Sequence, residues 1–128
     1  MPAQKPEECD LLLLEAIKAG DLETAISLYE PDATFVVSPE QVVKGHDAIR
    51  EVMQGFMDAQ ATFNVEAVTA VTSTDGTVAV TRVKGSSTSP GPDGNPVTTP
   101  LHSVEVVRKQ ADGTWRFIID DPSGEGIK

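Results

Sequence analysis

The spacing of the apolar residues changes along this chain, and the change sets the order of its secondary structure elements. In most of the stretch up to Gln60, apolar side chains recur every three or four residues, as on one face of a helix. From Thr62 onward they recur mainly at every second position, among many β-branched residues, as they do in strands. A group of helices followed by a group of strands predicts an α+β fold.

Three helices are expected in the first half of the chain. The first covers residues 7–19, and Gly20 can end it in the left-handed conformation. The second covers residues 22–30, with Asp21 as its N-cap, and the third runs from residue 45 to about residue 60. A chain of this length is one domain, predicted over residues 7–122, with a mobile tail at residues 1–6 and a C-terminal tail at residues 123–128.

Six strands are predicted around these helices. They cover residues 33–37, 42–44, 63–73, 78–84, 101–109 and 114–120. Residues 85–100 are rich in proline, glycine, serine and threonine, so their middle is expected to be a long, mobile loop. Both faces of the last strands are rather apolar, which leaves one face for the helices and the other for a partner.

An ordered set of residues resembles a known superfamily. The set is Gly20, Asp21, Leu22, Tyr29, Asp32, Ala33, Gly45 and Ile49, continued by Trp115-Arg116-Phe117 and Asp120. It is similar to the nuclear-transport-factor-2-like superfamily and, within it, to the SnoaL-like and ketosteroid-isomerase-like branch. The resemblance implies a cone-shaped, strongly curved, mostly antiparallel sheet packed on three N-terminal helices (a cystatin-like α+β barrel). It also implies a ligand site inside the cone and a homodimer through the outer sheet face.

The overall charge and the cysteine count exclude several classes of function. The formal net charge is −10, and the basic residues are scattered, so neither nucleic acid nor an anionic membrane surface is an expected partner. Cys9 is the only cysteine, which excludes an internal disulfide and a thiolate zinc cluster. The two histidines lie far apart, so neither a metal nor another cofactor is expected. The longest apolar run, Leu11 to Leu14, is too short for a signal or membrane segment, and a cytoplasmic location is expected.

His102 and Asp120 are the candidate catalytic residues. By alternation His102 shares a strand face with Val104 and Val106, so it is expected to point inward, where a histidine can transfer protons near neutral pH. The alternative is a core histidine that is simply hydrogen-bonded. Asp120 ends the last strand, where SnoaL-like proteins often carry an acid, and it could pair with His102 or merely cap the strand.

Further residues are candidates for the ligand pocket. They are Tyr29, Phe35, Val37, Met53, Phe56, Arg82 and Trp115. Arg82 could anchor a carboxylate inside the cone, or extend to its rim. Tyr29 could be a hydrogen-bond donor to the ligand, or a core residue with a satisfied hydroxyl.

Matching to ketosteroid isomerases excludes their mechanism. In those enzymes, a well-known case of pKa tuning, an Asp moves the proton while a Tyr and a protonated Asp bind the oxyanion. The Tyr position falls on Leu13, the base on Val37 and the protonated Asp on His102. Neither leucine nor valine can supply those roles.

Two functions from different classes follow from the sequence. The first is binding of a small, apolar organic molecule in the cone, with isomerase, cyclase or hydrolase chemistry carried by His102 and Asp120. The second is a non-catalytic dimerisation or protein-interaction domain whose cone is filled by its own side chains. Fold alone does not decide between them.

Overall fold

The computed structural model describes residues 3–38 and 40–122. Its helices are α1 (Pro6–Ala19), α2 (Leu22–Ser27) and α3 (His46–Asp58). Its strands are β1 (Tyr29–Ser38), β2 (Gln41–Lys44), β3 (Thr62–Thr72), β4 (Val78–Pro90), β5 (Pro96–Lys109) and β6 (Trp115–Asp121). The predicted C-terminal tail, residues 123–128, lies outside the described residues.

The corner between the first two helices forms as the sequence predicts. Gly20 follows α1 with φ 71° and ψ 24°, a left-handed conformation that glycine adopts without a steric penalty. The Asp21 carboxylate accepts a hydrogen bond from the backbone N–H of Thr24 at 3.2 Å, which caps α2. The second helix is shorter than predicted, because the chain from Tyr29 onward is drawn into the sheet beside β6.

The strands form one sheet in the order β2-β1-β6-β5-β4-β3. Strands β1 and β6 are parallel, and the other neighbouring pairs are antiparallel. The sheet is not closed, so β2 and β3 are its edges. Three helices on a mixed, mostly antiparallel sheet confirm the predicted fold class.

The prediction of a loop over residues 85–100 was wrong. Strand β4 continues to Pro90, β5 begins at Pro96, and the two pair without interruption from Val78↔Arg108 to Pro90↔Pro96. The hydroxyls of Thr88 and Thr98 are hydrogen-bonded across the strands at 2.8 Å. Proline is tolerated here because it stands at the ends of the strands or, at Pro100, on a part of β5 beyond the pairing with β6.

Gly85 is needed where β3 crosses close to β4. A Cβ built on Gly85 would lie 2.1 Å from the backbone oxygen of Asn64. The pairing of β3 with β4 shifts at the same place, between Val65 and Ala67, which marks a β-bulge. The close approach therefore belongs to a local bend of the sheet.

The described part of the predicted N-terminal tail is attached to the sheet. Ala3 is fully buried, and its carbonyl accepts a hydrogen bond from the N–H of Trp115 at 3.0 Å. The helices and the inner sheet face enclose one hydrophobic cluster, whose largest members include Tyr29, Phe35, Met53 and Phe117.

We expect Gly85→Ala to destabilise the protein by about 2 kcal/mol or more, because the added methyl group overlaps a backbone atom that cannot rotate away. Urea unfolding measures the change. Gly55→Ala is the matched control: it lies in α3 with nothing within 4 Å of the added carbon, and it should raise stability by roughly 0.5–1 kcal/mol. Equal effects of the two substitutions would contradict the proposed close contact.

Candidate functional site

A row of polar side chains crosses the inner face of the sheet. Thr81 of β4 is paired with Glu105 of β5, and Glu105 is paired with Asp120 of β6. Directly paired residues share a face, with Cβ atoms roughly 5 Å apart. All three side chains are at least nine-tenths buried, and the Thr81 hydroxyl donates to Oε1 of Glu105 at 3.1 Å. Two carboxyl groups are thus held side by side within the core.

A β-bulge places Asp120 on this inner face. The pairing of β5 with β6 shifts between Val106↔Ile119 and Val107↔Phe117, so Ile118 is an extra residue. Phe117 and Asp120 are therefore both buried although they are three residues apart, whereas strict alternation would put them on opposite faces.

A third carboxyl group comes from the first helix. Asp10 is 3 % exposed and lies one helical row from Leu13, Leu14 and Ile17, all of which border the same space. Its Oδ2 atom is buried and has no hydrogen-bond partner among the described residues.

These groups border a narrow cavity between the helices and the sheet. Its volume is about 50 Å³, room for a few water molecules or a small organic group. The polar lining residues are Asp10, Ser103, Glu105 and Asp120. The apolar lining residues are Leu13, Leu14, Ile17, Phe35, Met53, Phe56, Phe63, Val83, Leu101 and Pro122.

Tyr29 holds the Asp120 side chain in place through a hydrogen bond. The Tyr29 side chain is fully buried, and its hydroxyl donates a short hydrogen bond to Oδ2 of Asp120. Its ring packs on that of Phe117, with centroids 4.8 Å apart. Because both residues are packed in the core, the orientation of the Asp120 carboxyl group is fixed.

The burial of these acids shifts their protonation towards neutral forms. Desolvation raises the pKa of Asp120 to about 7, although the hydrogen bond from Tyr29 lowers it. Desolvation, the shared hydrogen bond with Asp10 and the charge of Asp120 together raise the pKa of Glu105 to about 11. At neutral pH, therefore, Glu105 is protonated and can donate a hydrogen bond, while Asp120 is close to the midpoint of its titration.

The pKa values of two groups beside this pair, Asp10 and Cys9, are also raised. The pKa of Asp10 is raised, mainly by desolvation, against the opposing effect of hydrogen bonds with Glu105 and Thr81. Desolvation raises the pKa of the buried Cys9 thiol to about 12, so it is not a thiolate nucleophile at neutral pH.

The predicted orientation of His102 was wrong. His102 is exposed, on the outer face of the sheet, where it borders a groove with Arg82 and Lys84. Its neighbours Leu101 and Ser103 border the cavity instead. Alternation alone could not choose the inner face, because Val104 and Val106 lie on the outer face, whereas the inner face carries the polar Ser103 and Glu105 beside Val107. His102 and Asp120 are therefore not brought together.

Arg82, Val37 and Trp115 do not border the cavity either. Arg82 is exposed on the outer face, opposite to the inward position considered for it. Val37 is 41 % exposed near the end of β1, beside the edge strand. Trp115 is buried at the other end of β6, paired with Lys109 and Ala3. Of the other predicted pocket residues, Phe35, Met53 and Phe56 border the cavity, and Tyr29 reaches it through Asp120.

Sequence reasoning missed Asp10 and Glu105. A signal for Asp10 exists, since it precedes Leu13, Leu14 and Ile17 by three, four and seven residues and so shares their helix face. Glu105 alternates with valines in a central strand, and this pattern normally indicates a solvent-facing acid.

Within residues 3–38 and 40–122, no three histidine, cysteine or acidic side chains are grouped so as to hold a metal ion. In the same part of the chain, no helix has the length and apolar character needed to span a membrane.

Comparison with known families agrees with this architecture. The sequence profile of the SnoaL-like domain matches residues 12–118, most of the chain. The chain belongs to the SnoaL-like domain family. Comparison with curated proteins gives no significant match.

Several solved structures share the fold at low sequence identity. A structure from Streptomyces avermitilis, provisionally named a dehydratase of the NTF2-like family, has a TM-score of 0.74 and 20 % identity, with 88 % of each chain covered. One from Shewanella frigidimarina, provisionally named a ketosteroid isomerase, has a TM-score of 0.76 and 14 % identity, covering 88 % of this chain and 90 % of that one. One from Xanthomonas campestris, provisionally named a calcium/calmodulin-dependent protein kinase II association domain, has a TM-score of 0.72 and 19 % identity, covering 85 % of this chain and 77 % of that one. These identities show a shared fold and no more.

We expect the stability of this SnoaL-like protein to fall as pH rises from about 5 to 8. The folded pKa values of Glu105 and Asp120 lie above their unfolded values, so in this range the folded state holds protons that the unfolded state releases. Each such group contributes at most about 1.4 kcal/mol per pH unit. Surface acids with lowered pKa values, such as Glu30 and Asp112, titrate below about pH 4.3 and add no slope here.

Urea unfolding at several pH values tests this expectation. Glu105→Gln should reduce the slope, because it removes one group whose pKa is raised in the folded state. Glu15→Gln removes an exposed carboxylate from α1 and should leave the slope as in the wild type. A wild-type stability that rises with pH over this range would show that the acids are not buried as described.

Proposed function

We propose that the protein binds a small, mostly apolar carbonyl compound in the cavity and transfers a proton on it, as an isomerase or dehydratase does. The observation that carries this proposal is the Asp120 carboxyl group, buried at an apolar cavity with a pKa of about 7. A general base works best when its pKa is near the working pH.

Asp120 is the proposed acid–base group, and Tyr29 is its positioning residue. As a carboxylate, Asp120 would take a proton from carbon next to the carbonyl group of the ligand and return it to another atom. Because the Tyr29 hydroxyl is hydrogen-bonded to Oδ2 of Asp120, Oδ1 is the oxygen that receives the proton. The charge formed on the ligand oxygen during this step must be stabilised by a nearby donor.

Glu105 is the proposed donor to that oxygen. It is paired with Asp120 across the strands and borders the same cavity, so one small molecule can contact both. Its raised pKa keeps the carboxyl group protonated, which allows it to donate a hydrogen bond at neutral pH. The two acids thus divide the roles of base and donor.

Two of the related structures are consistent with this class of reaction. Two proteins of the same fold bear provisional names of a dehydratase and a ketosteroid isomerase, both consistent with proton transfer beside a carbonyl group. The usual steroid-isomerase residues are nevertheless absent, because Leu13, Val37 and His102 occupy those positions. The proposed mechanism therefore uses a different set of acids within a similar fold.

Hydrogen–deuterium exchange of small ketones in D₂O tests the proposal without knowledge of the product. Proton abstraction replaces hydrogen by deuterium beside the carbonyl group, and proton NMR follows the loss of signal. We expect Asp120→Asn to slow catalysed exchange by roughly 100-fold or more, the usual contribution of a general base.

His102→Ala is the matched control for that experiment. His102 is exposed on the opposite sheet face, so its removal should change exchange little. If His102→Ala abolishes exchange while Asp120→Asn retains it, the assignment of Asp120 is wrong. Circular dichroism of each variant confirms that the fold is kept.

The narrowness of the cavity favours a second candidate, a non-catalytic interaction domain. About 50 Å³ is small against the 300 Å³ or more that is typical of drug-sized ligand sites. Phe56 borders the cavity and packs against both Phe35 and Phe63, with ring centroids 6.5 Å apart in each pair. The fold neighbour named as an association domain is consistent with such a role. A lack of exchange with every ketone would favour this second candidate.

Either function is compatible with a homodimer, which we propose forms through the outer face of the sheet. Val71, Val80, Val106 and Ile119 are paired in register across β3, β4, β5 and β6, so their side chains form one aliphatic row. Val71 is 63 % exposed and Ile119 is 41 % exposed. A second copy of the chain would remove this row from water.

We expect the wild type to elute as a dimer in size-exclusion chromatography with light scattering. Ile119→Lys should shift it towards the monomer, because two lysines would be buried in the interface. Val42→Lys is the control, since Val42 is 51 % exposed but lies on the edge strand β2 outside the row. A wild-type monomer at high concentration would refute the proposed interface.

A further inference from the structure

The polar end of the cavity has more hydrogen-bond acceptors than donors. The Tyr29 hydroxyl is bound to Asp120, and the Thr81 hydroxyl is bound to Glu105. Neither hydroxyl is hydrogen-bonded to Oδ2 of Asp10, which has no hydrogen-bond partner in the part of the chain that the structure describes, although Asp10 is only 3 % exposed. A buried acceptor without a partner costs free energy, so this atom favours a ligand that brings a donor.

The charged groups around this atom are all acidic. Asp10 comes from α1, Glu105 from β5 and Asp120 from β6, and among the described residues that line the cavity there is no lysine, arginine or histidine. The neighbouring titratable groups, Cys9 beside Asp10, Tyr29 on β1, Glu7 on α1 and Asp121 on β6, supply no cation either. The α3 and β3 residues that border the cavity are apolar. An anionic ligand would be repelled, and a cationic one would be attracted.

The apolar end of the cavity is also suited to a cation with a short carbon chain. The rings of Phe35, Phe56 and Phe63 form a connected group, and the last two meet edge to face at 87°. Aromatic faces attract ammonium groups and pack against methylene groups.

We propose that the ligand of this cavity is a small organic amine, with its ammonium group bound at Oδ2 of Asp10 and its carbon chain among the phenylalanine rings. This inference rests on the proposed small-molecule function and names a class of ligand for the same site. An amino ketone is compatible with both the proposed reaction and the proposed amine site, because its carbonyl group can face Glu105 while its ammonium group contacts Asp10.

Binding of the ammonium group is coupled to the release of a proton. In the free protein, desolvation raises the pKa of Asp10, so burial favours its protonated form. An ammonium group favours the ionised form of Asp10 instead, so Asp10 releases its proton to solvent when the amine binds, while Glu105 keeps the proton that it donates to the carbonyl group. Affinity therefore rises with pH, until the amine itself loses its proton near pH 10.

The experiment compares three probes with the same branched carbon end: isobutylamine, isobutanol and isobutyrate. NMR shifts of the Leu13, Ile17 and Met53 methyl groups report binding inside the cavity. At pH 8 we expect the amine to bind about tenfold more tightly than the alcohol, as for a hydrogen bond to a charged group, and the carboxylate not to bind. Between pH 6 and 8, the affinity for the amine should rise by up to about tenfold per pH unit, and the affinity for the alcohol should not.

Asp10→Asn removes the charge while keeping the shape of the side chain. It should lower the affinity for the amine by about tenfold and change the affinity for the alcohol by less than about threefold. Glu15→Gln, on the same helix but exposed, is the control and should change neither. If Asp10→Asn does not fold, the proton released per bound amine, measured by calorimetry of the wild type in two buffers, carries the test.

Three results would overturn the inference. They are an alcohol that binds as tightly as the amine, an amine affinity that is independent of pH, and the absence of binding by any probe. The exchange assay with ketones is a separate measurement, so any of these results combined with Asp120-dependent exchange would leave the proposed function standing. Loss of that exchange as well would remove both.

Discussion

The structure depends on one unusual constraint: carboxyl groups are buried together at the centre of a small domain, and no lysine, arginine or histidine within residues 3–38 and 40–122 lines their cavity. A buried carboxylate is costly unless it is paired or protonated. Here the acids keep protons or accept hydrogen bonds from hydroxyl groups, as Asp120 does from Tyr29. This arrangement explains why the pKa values of Glu105 and Asp120 are raised.

The parts of the fold that depend on local chemistry could be predicted from the sequence. Gly20 and Asp21 define the corner between two helices, and the change of apolar period near Thr62 defines where the sheet begins. The hairpin of β4 and β5 was missed because prolines and glycines indicate a loop, whereas long-range pairing with β3 and across the hairpin holds these residues extended. Tertiary contacts overrode local propensity there.

The site was harder to predict than the fold, and the reason is the period of two in a strand. An error of one residue exchanges the inner and outer faces, so His102 was assigned to the cavity instead of Leu101 and Ser103. On β6 the extra residue Ile118 reverses the alternation before Asp120, and no local signal in the sequence marks that bulge. The family resemblance, not the alternation, pointed to Asp120, and the structure places this residue at the cavity.

The stability of the fold argues that the acids are kept for a reason other than packing. Uncharged side chains of similar size at Asp10, Glu105 and Asp120 would avoid both desolvation and mutual repulsion, and buried polar sites replaced in this way often become more stable. A sequence that departs from local rules at one place, while following them elsewhere, is typical of a functional site. The narrowness of the cavity then limits the size of what is bound, and the acids limit its charge. These two limits together, rather than the shared fold, are the basis for proposing a small ligand that brings hydrogen-bond donors and no negative charge.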